Sequence, residues 1–300
     1  MLKCCSCHVD VRLMIRKVVI PSAGLGTRLL PATKEQPKEM LPIFVRGKDG
    51  KLCLKPILHI VFENLYDVGF REFCFITGRG KRSVEDYFTI DSGFVDILKN
   101  ENKFGLAEEL ETLYRKIEKS SIAFINQPKP KGFGDAVYRA KSITGTEAFL
   151  VHAGDDVIIS KRNRYLLNLA NIFEKYEAAA AFCVEKVRNP RKYGVVVGSK
   201  VANNLYRVER VIEKPSKPPS NIAIVAVYAF DSRIYQAIEE TPSDAGGEVQ
   251  LTNAIQRLID QKHPVYAAEL GMEEKRLDIG NPQSYLASLK LMARSSCLQP

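Results

Sequence analysis

Short apolar runs alternate with stretches whose apolar residues recur every three or four positions. The runs Lys17–Pro21, Glu72–Thr77, Ser121–Asn126, Phe149–His152 and Ala180–Val187 are rich in β-branched or aromatic residues and have the length of buried strands. Between them, Pro56–Asp67 carries a helical stripe through Ile57, Ile60, Val61 and Leu65 that continues to Val68. Tyr165, Leu169, Ile172, Phe173 and Tyr176 form a second stripe. Such alternation predicts an α/β fold, with a mixed, mostly parallel sheet flanked by helices. Asp49-Gly50, between two short apolar stretches, is a hairpin signal and predicts a projecting β-ribbon over Ile43–Leu54.

After Val187 the pattern changes. Tyr193–Val197, Leu205–Glu213 and Asn221–Phe230 read as strands joined by turns, with no helix between the first two. They predict a small antiparallel subregion appended to the parallel core. Helices are expected again at Ser232–Glu239, Val249–Gln261 and Pro282–Ala293. Residues 1–14 are expected to be a disordered leader, and residues 15–300 one domain.

Composition narrows the class. The 300 residues are 45% hydrophobic and 26% charged, the balance of a soluble globular chain, and carry a net charge of +9. The basic residues are dispersed, and no basic run interleaves with aromatics. The charge therefore suits a small anionic ligand, not nucleic acid. No run approaches the ~18–20 apolar residues that span a bilayer, and the N-terminus lacks the form of a signal peptide. A cytoplasmic protein with no membrane partner is expected. Cys53, Cys74 and Cys183 sit in apolar runs and read as small buried hydrophobes. Cys4, Cys5, Cys7 and His8 are too crowded to reach the corners of one tetrahedron, and no second Cys/His pair follows.

Five segments carry candidate chemistry. The first strand enters Ala23-Gly24-Leu25-Gly26-Thr27-Arg28, followed by Lys34 and Lys38. Glycines there let backbone N–H groups approach an anion. A dinucleotide fingerprint would need glycine where Leu29 stands, and a P-loop would need Gly-Lys-Ser/Thr where Gly26-Thr27-Arg28 stands. Gln127 ends another strand, where an amide can read a base edge, and Gly132 would let the backbone approach the same ring. A helix is expected to open at Gly134. Asp155 and Asp156 follow the strand Phe149–His152, where open α/β sheets bind ligands, and are oxygen donors suited to Mg²⁺. Glu213-Lys214-Pro215 ends a later strand, and its lysine can reach a phosphate as a point charge. Asp278 precedes a Gly-Asn-Pro turn and is either a second metal ligand or a turn former. His8, His59, His152 and His263 are scattered, so no nucleophilic triad emerges.

Taken in order, "IPSAGLGTRLLPATKEQPKEMLP", "QPKPKGFGDAV", "AGDDVII", "YGVVV", "IEKPSKPPSNIAIV", "GGEVQLTNAI" and "LDIGNPQSY" resemble the sugar-1-phosphate nucleotidylyltransferases. Within that group they are most similar to the bacterial and archaeal UTP–glucose-1-phosphate uridylyltransferases, from about Arg16 to the last helix. The resemblance implies a Rossmann-like nucleotidyltransferase fold and Mg²⁺-dependent transfer of UMP from UTP to glucose 1-phosphate, giving UDP-glucose and pyrophosphate. It also implies a nucleotide-binding half over residues 15–187 and a sugar-binding and assembly half over 188–300, in a homodimer or homotetramer.

By motif position, Ala23, Gly24 and Gly26 would cradle the nucleotide, and Arg28 and Lys38 would grip the triphosphate or the leaving pyrophosphate. Gln127 and Gly132 would read uracil. Asp155 and Asp278 would hold Mg²⁺, Asp155 from the nucleotide site, with neighbouring Asp156 an alternative. Lys214 would bridge the reacting phosphates. Gly194, Glu213 and Glu248 would contact the glucose, with Asn221 in support. One departure is Gly246-Gly247-Glu248-Val249-Gln250-Leu251-Thr252-Asn253, where the usual pattern has Gly-Asp-Glu-Ile-Gln-Leu-Thr-Asp. Two acids are therefore lost near the sugar. The alternatives are a sister enzyme using dTTP or another sugar 1-phosphate, and a non-catalytic sugar-nucleotide-binding protein.

Overall fold

The computed structural model describes residues 14–47 and 50–298. The Cys4–His8 cluster, all of the expected leader except Met14, and Asp49 of the hairpin signal lie outside the described residues. The chain opens with β1 (Lys17–Pro21), then the ribbon β2 (Pro42–Arg46) and β3 (Leu52–Pro56), then helix α1 (Ile57–Val68). β4 (Glu72–Gly78) is followed by α2 (Arg82–Tyr87), α3 (Ser92–Asn100) and α4 (Phe104–Glu118). β5 (Ser121–Gln127) leads into α5 (Gly132–Arg139) and α6 (Lys141–Thr144). Next come β6 (Phe149–His152), β7 (Val157–Ile159), α7 (Arg164–Lys175) and β8 (Ala180–Lys186). The remainder is β9 (Gly194–Ala202), β10 (Leu205–Glu213), β11 (Ile222–Phe230), α8 (Arg233–Glu239), α9 (Leu251–Asp260), β12 (Val265–Glu269), β13 (Lys275–Leu277) and α10 (Pro282–Leu298).

Among the described residues, nine strands share one mixed sheet in the order β5-β4-β1-β6-β11-β8-β12-β10-β9. β5, β4, β1 and β6 run parallel, as do β8 and β12. Two apolar cores lie on opposite faces of the sheet. Val18 and Ile20 of β1 enter one core and Val19 the other, so the strand is apolar at every central position.

β11 departs from the expected layout. It pairs antiparallel with β6 on one side and β8 on the other, in the middle of the sheet and not at an appended edge. Val225, Val227 and Ala229 fill one core, while Ile224, Tyr228 and Phe230 fill the other. A strand buried on both faces is stabilised most in a central position. The ribbon over β2 and β3 is present, in antiparallel register. α1 buries Ile57, Leu58, Val61, Phe62 and Leu65 and stops at Gly69. α5 begins at Gly132, two residues before the expected Gly134.

Candidate active site

The parallel strands β1, β4, β5 and β6 deliver their C-terminal ends to one edge of the sheet, where the loops of an open α/β sheet form a crevice. A cavity of ≈ 490 Å³ lies there. The loop after β1 supplies Ala23, Gly24, Gly26 and Arg28. The turn Lys38–Met40 supplies Lys38 and Glu39. Gln127 and Gly132 come from β5 and its loop, Asp155 from the loop after β6, and Glu248 from the loop before α9. Nine of the residues marked in the sequence thus line a single cavity.

Local geometry explains two of its glycines. Gly26 is left-handed (φ 66°) and caps the turn Thr27–Leu29 that carries Arg28, with its carbonyl held by the Thr33 hydroxyl at 2.8 Å. Gly132 has φ 93°, and a Cβ there would lie 2.9 Å from both Glu248 Cβ and the Val249 carbonyl. The glycine requirement at 132 therefore comes from the 248–249 backbone packing against it. Val249 N–H donates to the Lys131 carbonyl at 2.7 Å, and Gly134 N–H donates to the Val249 carbonyl at 2.9 Å.

Charges alternate across the floor. Lys38 donates a hydrogen bond to Asp155 Oδ2. The next residue, Glu39, is buried and accepts from Lys81 Nζ at 2.8 Å; Lys81, also buried, follows β4. Burial pushes the Asp155 carboxyl up, but the Lys38 charge and hydrogen bond, with Arg276, outweigh it and hold Asp155 below its usual value. Burial likewise pushes Lys38 down, and the carboxylates of Asp155 and Glu39 more than restore it. For Glu39 burial wins over Lys81 and Lys38, and its carboxyl is raised.

The two neighbouring aspartates separate cleanly. Asp156 is buried, accepts from Arg276 Nε at 2.6 Å and from Ala226 N–H at 3.3 Å, and holds the frame together. Asp155 lines the cavity. β13 pairs antiparallel with β7, with Leu277 opposite Val157. Continued by one residue, this antiparallel register sets Asp278 opposite Asp156. Asp278 Oδ1 accepts from Gly280 N–H at 2.8 Å, and Arg28 approaches the same glycine. Asp155 already carries a cationic partner in Lys38, and the available donors are two hard carboxylates. Among the described residues no group of three or more His, Cys, Asp or Glu is placed to hold a metal. That donor set fits Mg²⁺, which takes one or two carboxylates and completes its shell with water and phosphate oxygens.

Lys214, Glu213 and Gly194 lie outside this cavity. Glu213 and Lys214 line a second one of ≈ 800 Å³, with the segment Asp244–Gln250 between the two. Lys214 is left-handed (φ 38°), and its Nζ pairs with Glu213 Oε1 at 3.0 Å. Glu213 Oε2 accepts from the Thr252 hydroxyl at 2.7 Å, and the Gly194 backbone sits against both side chains. Asn221 accepts through its carbonyl from Val187 N–H at 3.0 Å, which supports the adjoining strands.

Several residues at the site carried no expectation. Glu39 lies directly beside Lys38 in the glycine-loop segment, and Lys81 follows a Gly-Arg-Gly turn at the end of a parallel strand, a readable position. Arg276, which also reaches Glu185 at 3.3 Å, depends on tertiary packing and leaves no local signal, while Asp135 lies in the segment QPKPKGFGDAV but only the fold shows its contact with Gln127.

Residues 17–295 match the nucleotidyl transferase family. A UTP–glucose-1-phosphate uridylyltransferase of Bacillus subtilis is 34% identical over 280 residues, covering 91% of this chain and 89% of that protein. One from Pseudomonas aeruginosa is 33% identical over 279 residues, covering 91% and 94%. A UDP-glucose pyrophosphorylase solved in complex with UDP-glucose superposes with a TM-score of 0.79 at 30% identity, over 94% of this chain and 99% of that one.

Proposed function

The chain belongs to the nucleotidyl transferase family, and from that premise we propose that it transfers UMP from UTP to glucose 1-phosphate, forming UDP-glucose and pyrophosphate with Mg²⁺ as cofactor. The observation that carries the reading is the convergence of the Gly24–Gly26 loop, Arg28, Lys38, Gln127 and Asp155 on one cavity at the C-terminal edge of the parallel strands. The similarity to a solved UDP-glucose complex over nearly its whole length supports the choice of nucleotide sugar.

In the reaction a phosphate oxygen of glucose 1-phosphate attacks the α-phosphorus of UTP. The bond to the β-bridging oxygen breaks, and its electron pair leaves with pyrophosphate. The nucleophile is already anionic near neutral pH, so no general base is required. The remaining work is to bring two polyanions together and to offset charge that grows on the leaving group. Arg28 and Lys38 act on the triphosphate and the departing pyrophosphate, and Ala23, Gly24 and Gly26 cradle the nucleotide. Gln127 and Gly132 face the uracil. Glu213, Gly194 and Glu248 bind the glucose, and Lys214 bridges the two reacting phosphates. Asp155 and Asp278 would hold Mg²⁺, which supplies charge neutralisation at the phosphate oxygens when bound.

The reading is tested by pyrophosphate release from UTP, dTTP, CTP and GTP, each crossed with glucose, galactose and N-acetylglucosamine 1-phosphates. UTP with glucose 1-phosphate is expected to lead, and EDTA to abolish release. No release from any pair would overturn it.

A further inference from the structure

Gln127 is buried at the end of β5, lines the cavity, and has an amide whose orientation is fixed from behind. Its Nε2 donates to the Gly132 carbonyl at 3.1 Å and to Asp135 Oδ2 at 2.7 Å. Both partners are acceptors, so the nitrogen and not the oxygen must face them, and both of its hydrogens are used. Asp135, one turn into α5, is itself buried and is held through Oδ1 by Arg139 Nη2 at 3.0 Å. The Gln127 Oε1 is then the polar atom left for a ligand in the cavity, and it can only accept.

We propose that Asp135 is a specificity-determining residue: by holding the Gln127 nitrogen, it makes the cavity present an acceptor to the middle of the base's pairing edge. Uracil and thymine carry an N3–H donor there and match it. Cytosine carries a bare N3 acceptor at the same position, so two lone pairs would face each other and one buried acceptor would go unpaired. Asp135 touches no substrate and acts through Gln127 alone. The inference rests on reading the cavity as the UTP site.

The test is calorimetric binding of UTP and CTP, without sugar phosphate, to the wild-type protein and to Asp135→Asn. Asparagine keeps the shape but can donate to Gln127 Oε1, which releases the amide to turn. The wild type is expected to bind UTP at least about tenfold more tightly than CTP, and Asp135→Asn to reduce that ratio by about tenfold. The change should vanish when it is repeated in a Gln127→Leu background, whereas a general loosening of α5 would lower both affinities in either background. Equal binding of UTP and CTP by the wild type, or an unchanged ratio in a folded Asp135→Asn, would overturn the inference. Should Asp135→Asn not fold, the wild type is compared on UTP and N3-methyl-UTP, which must lose binding if Oε1 accepts from N3–H. Binding needs no turnover, so discrimination without uridylyl transfer would leave the inference standing and remove the proposed reaction. Transfer from UTP with an unchanged ratio would do the reverse.

Discussion

Lys81→Met is the most informative single perturbation of the cavity floor. The Lys81 and Glu39 side chains are only 6% and 1% exposed, and their charged atoms are 2.8 Å apart. Coulomb's law at that separation gives about 6 kcal/mol of attraction for an effective dielectric constant of ~20. Desolvation of both ions offsets much of this, but removing Lys81 leaves Glu39 buried without its hydrogen-bonded ion partner, a loss of about 3–5 kcal/mol. At ~2.1 cal/mol/K per residue, unfolding roughly 300 residues carries ~0.6 kcal/mol/K, so Tm should fall by roughly 5–8 °C. Glu39 is already raised by burial, and without Lys81 it rises further. The folded variant then holds a proton that the unfolded chain releases above the ordinary carboxylate range. Its stability therefore falls as pH rises from that range through the folded value. Scanning calorimetry at pH 5 and pH 8 should show a larger deficit against wild type at pH 8. Adding Glu39→Gln should recover at least half of the loss, since no orphaned charge remains. A deficit below ~1 kcal/mol, or one equal at both pH values, would refute the argument.

Other consequences are equally direct. Lys214→Ala should lower kcat by more than tenfold with little change in UTP affinity measured by calorimetry, and near-normal turnover would remove Lys214 from the reaction. Gly132→Ala must accept φ 93° and a Cβ 2.9 Å from the Val249 carbonyl. A strain of about 1–3 kcal/mol should appear as weaker UTP binding, by roughly 5- to 150-fold, as the 248–249 segment shifts. Burial raises Glu63, but contact with His59 and the ammonium groups of Lys55 and Lys116 outweigh it and hold Glu63 well below its usual range. Its stabilisation is present above the unfolded pKa and lost as pH falls toward the folded one. Urea unfolding should therefore find Glu63→Gln less stable than wild type at pH 7, with the gap closing toward pH 2.

Much of this arrangement was legible because strand ends and loop chemistry are local. β1, β6 and β10 match their expected bounds: the first two are short apolar runs cut off by polar or turn residues, and β10 interleaves buried apolar with exposed charged positions up to the Lys214-Pro215 turn. The placement of β11 was not anticipated. Its nine apolar residues signalled burial on both faces, but the β6 and β8 residues that flank it lie more than 35 positions away in the chain. β12 was missed because Val265-Tyr266-Ala267-Ala268-Glu269 is short and alanine-rich, and it is a strand only because β8 and β10 flank it. The cavity-lining glycines, Arg28, Lys38 and Asp155 could be marked from strand-to-loop position alone. Lys81 holds a strand-to-loop position of the same kind, but its pairing with Glu39, like the contacts of Arg276 and Asp135, is set by tertiary packing. The same packing gives the adjacent aspartates different surroundings: Arg276 pairs with Asp156, and Asp155 lines the cavity.

The most direct test of the account follows the α-phosphorus. UTP labelled at that atom is incubated with the protein, glucose 1-phosphate and Mg²⁺, and the products are separated. The account predicts that the label appears in UDP-glucose in step with unlabelled pyrophosphate, and that neither forms without glucose 1-phosphate. Label that stays in UTP, or that is released as UMP whether or not the sugar phosphate is present, would contradict it.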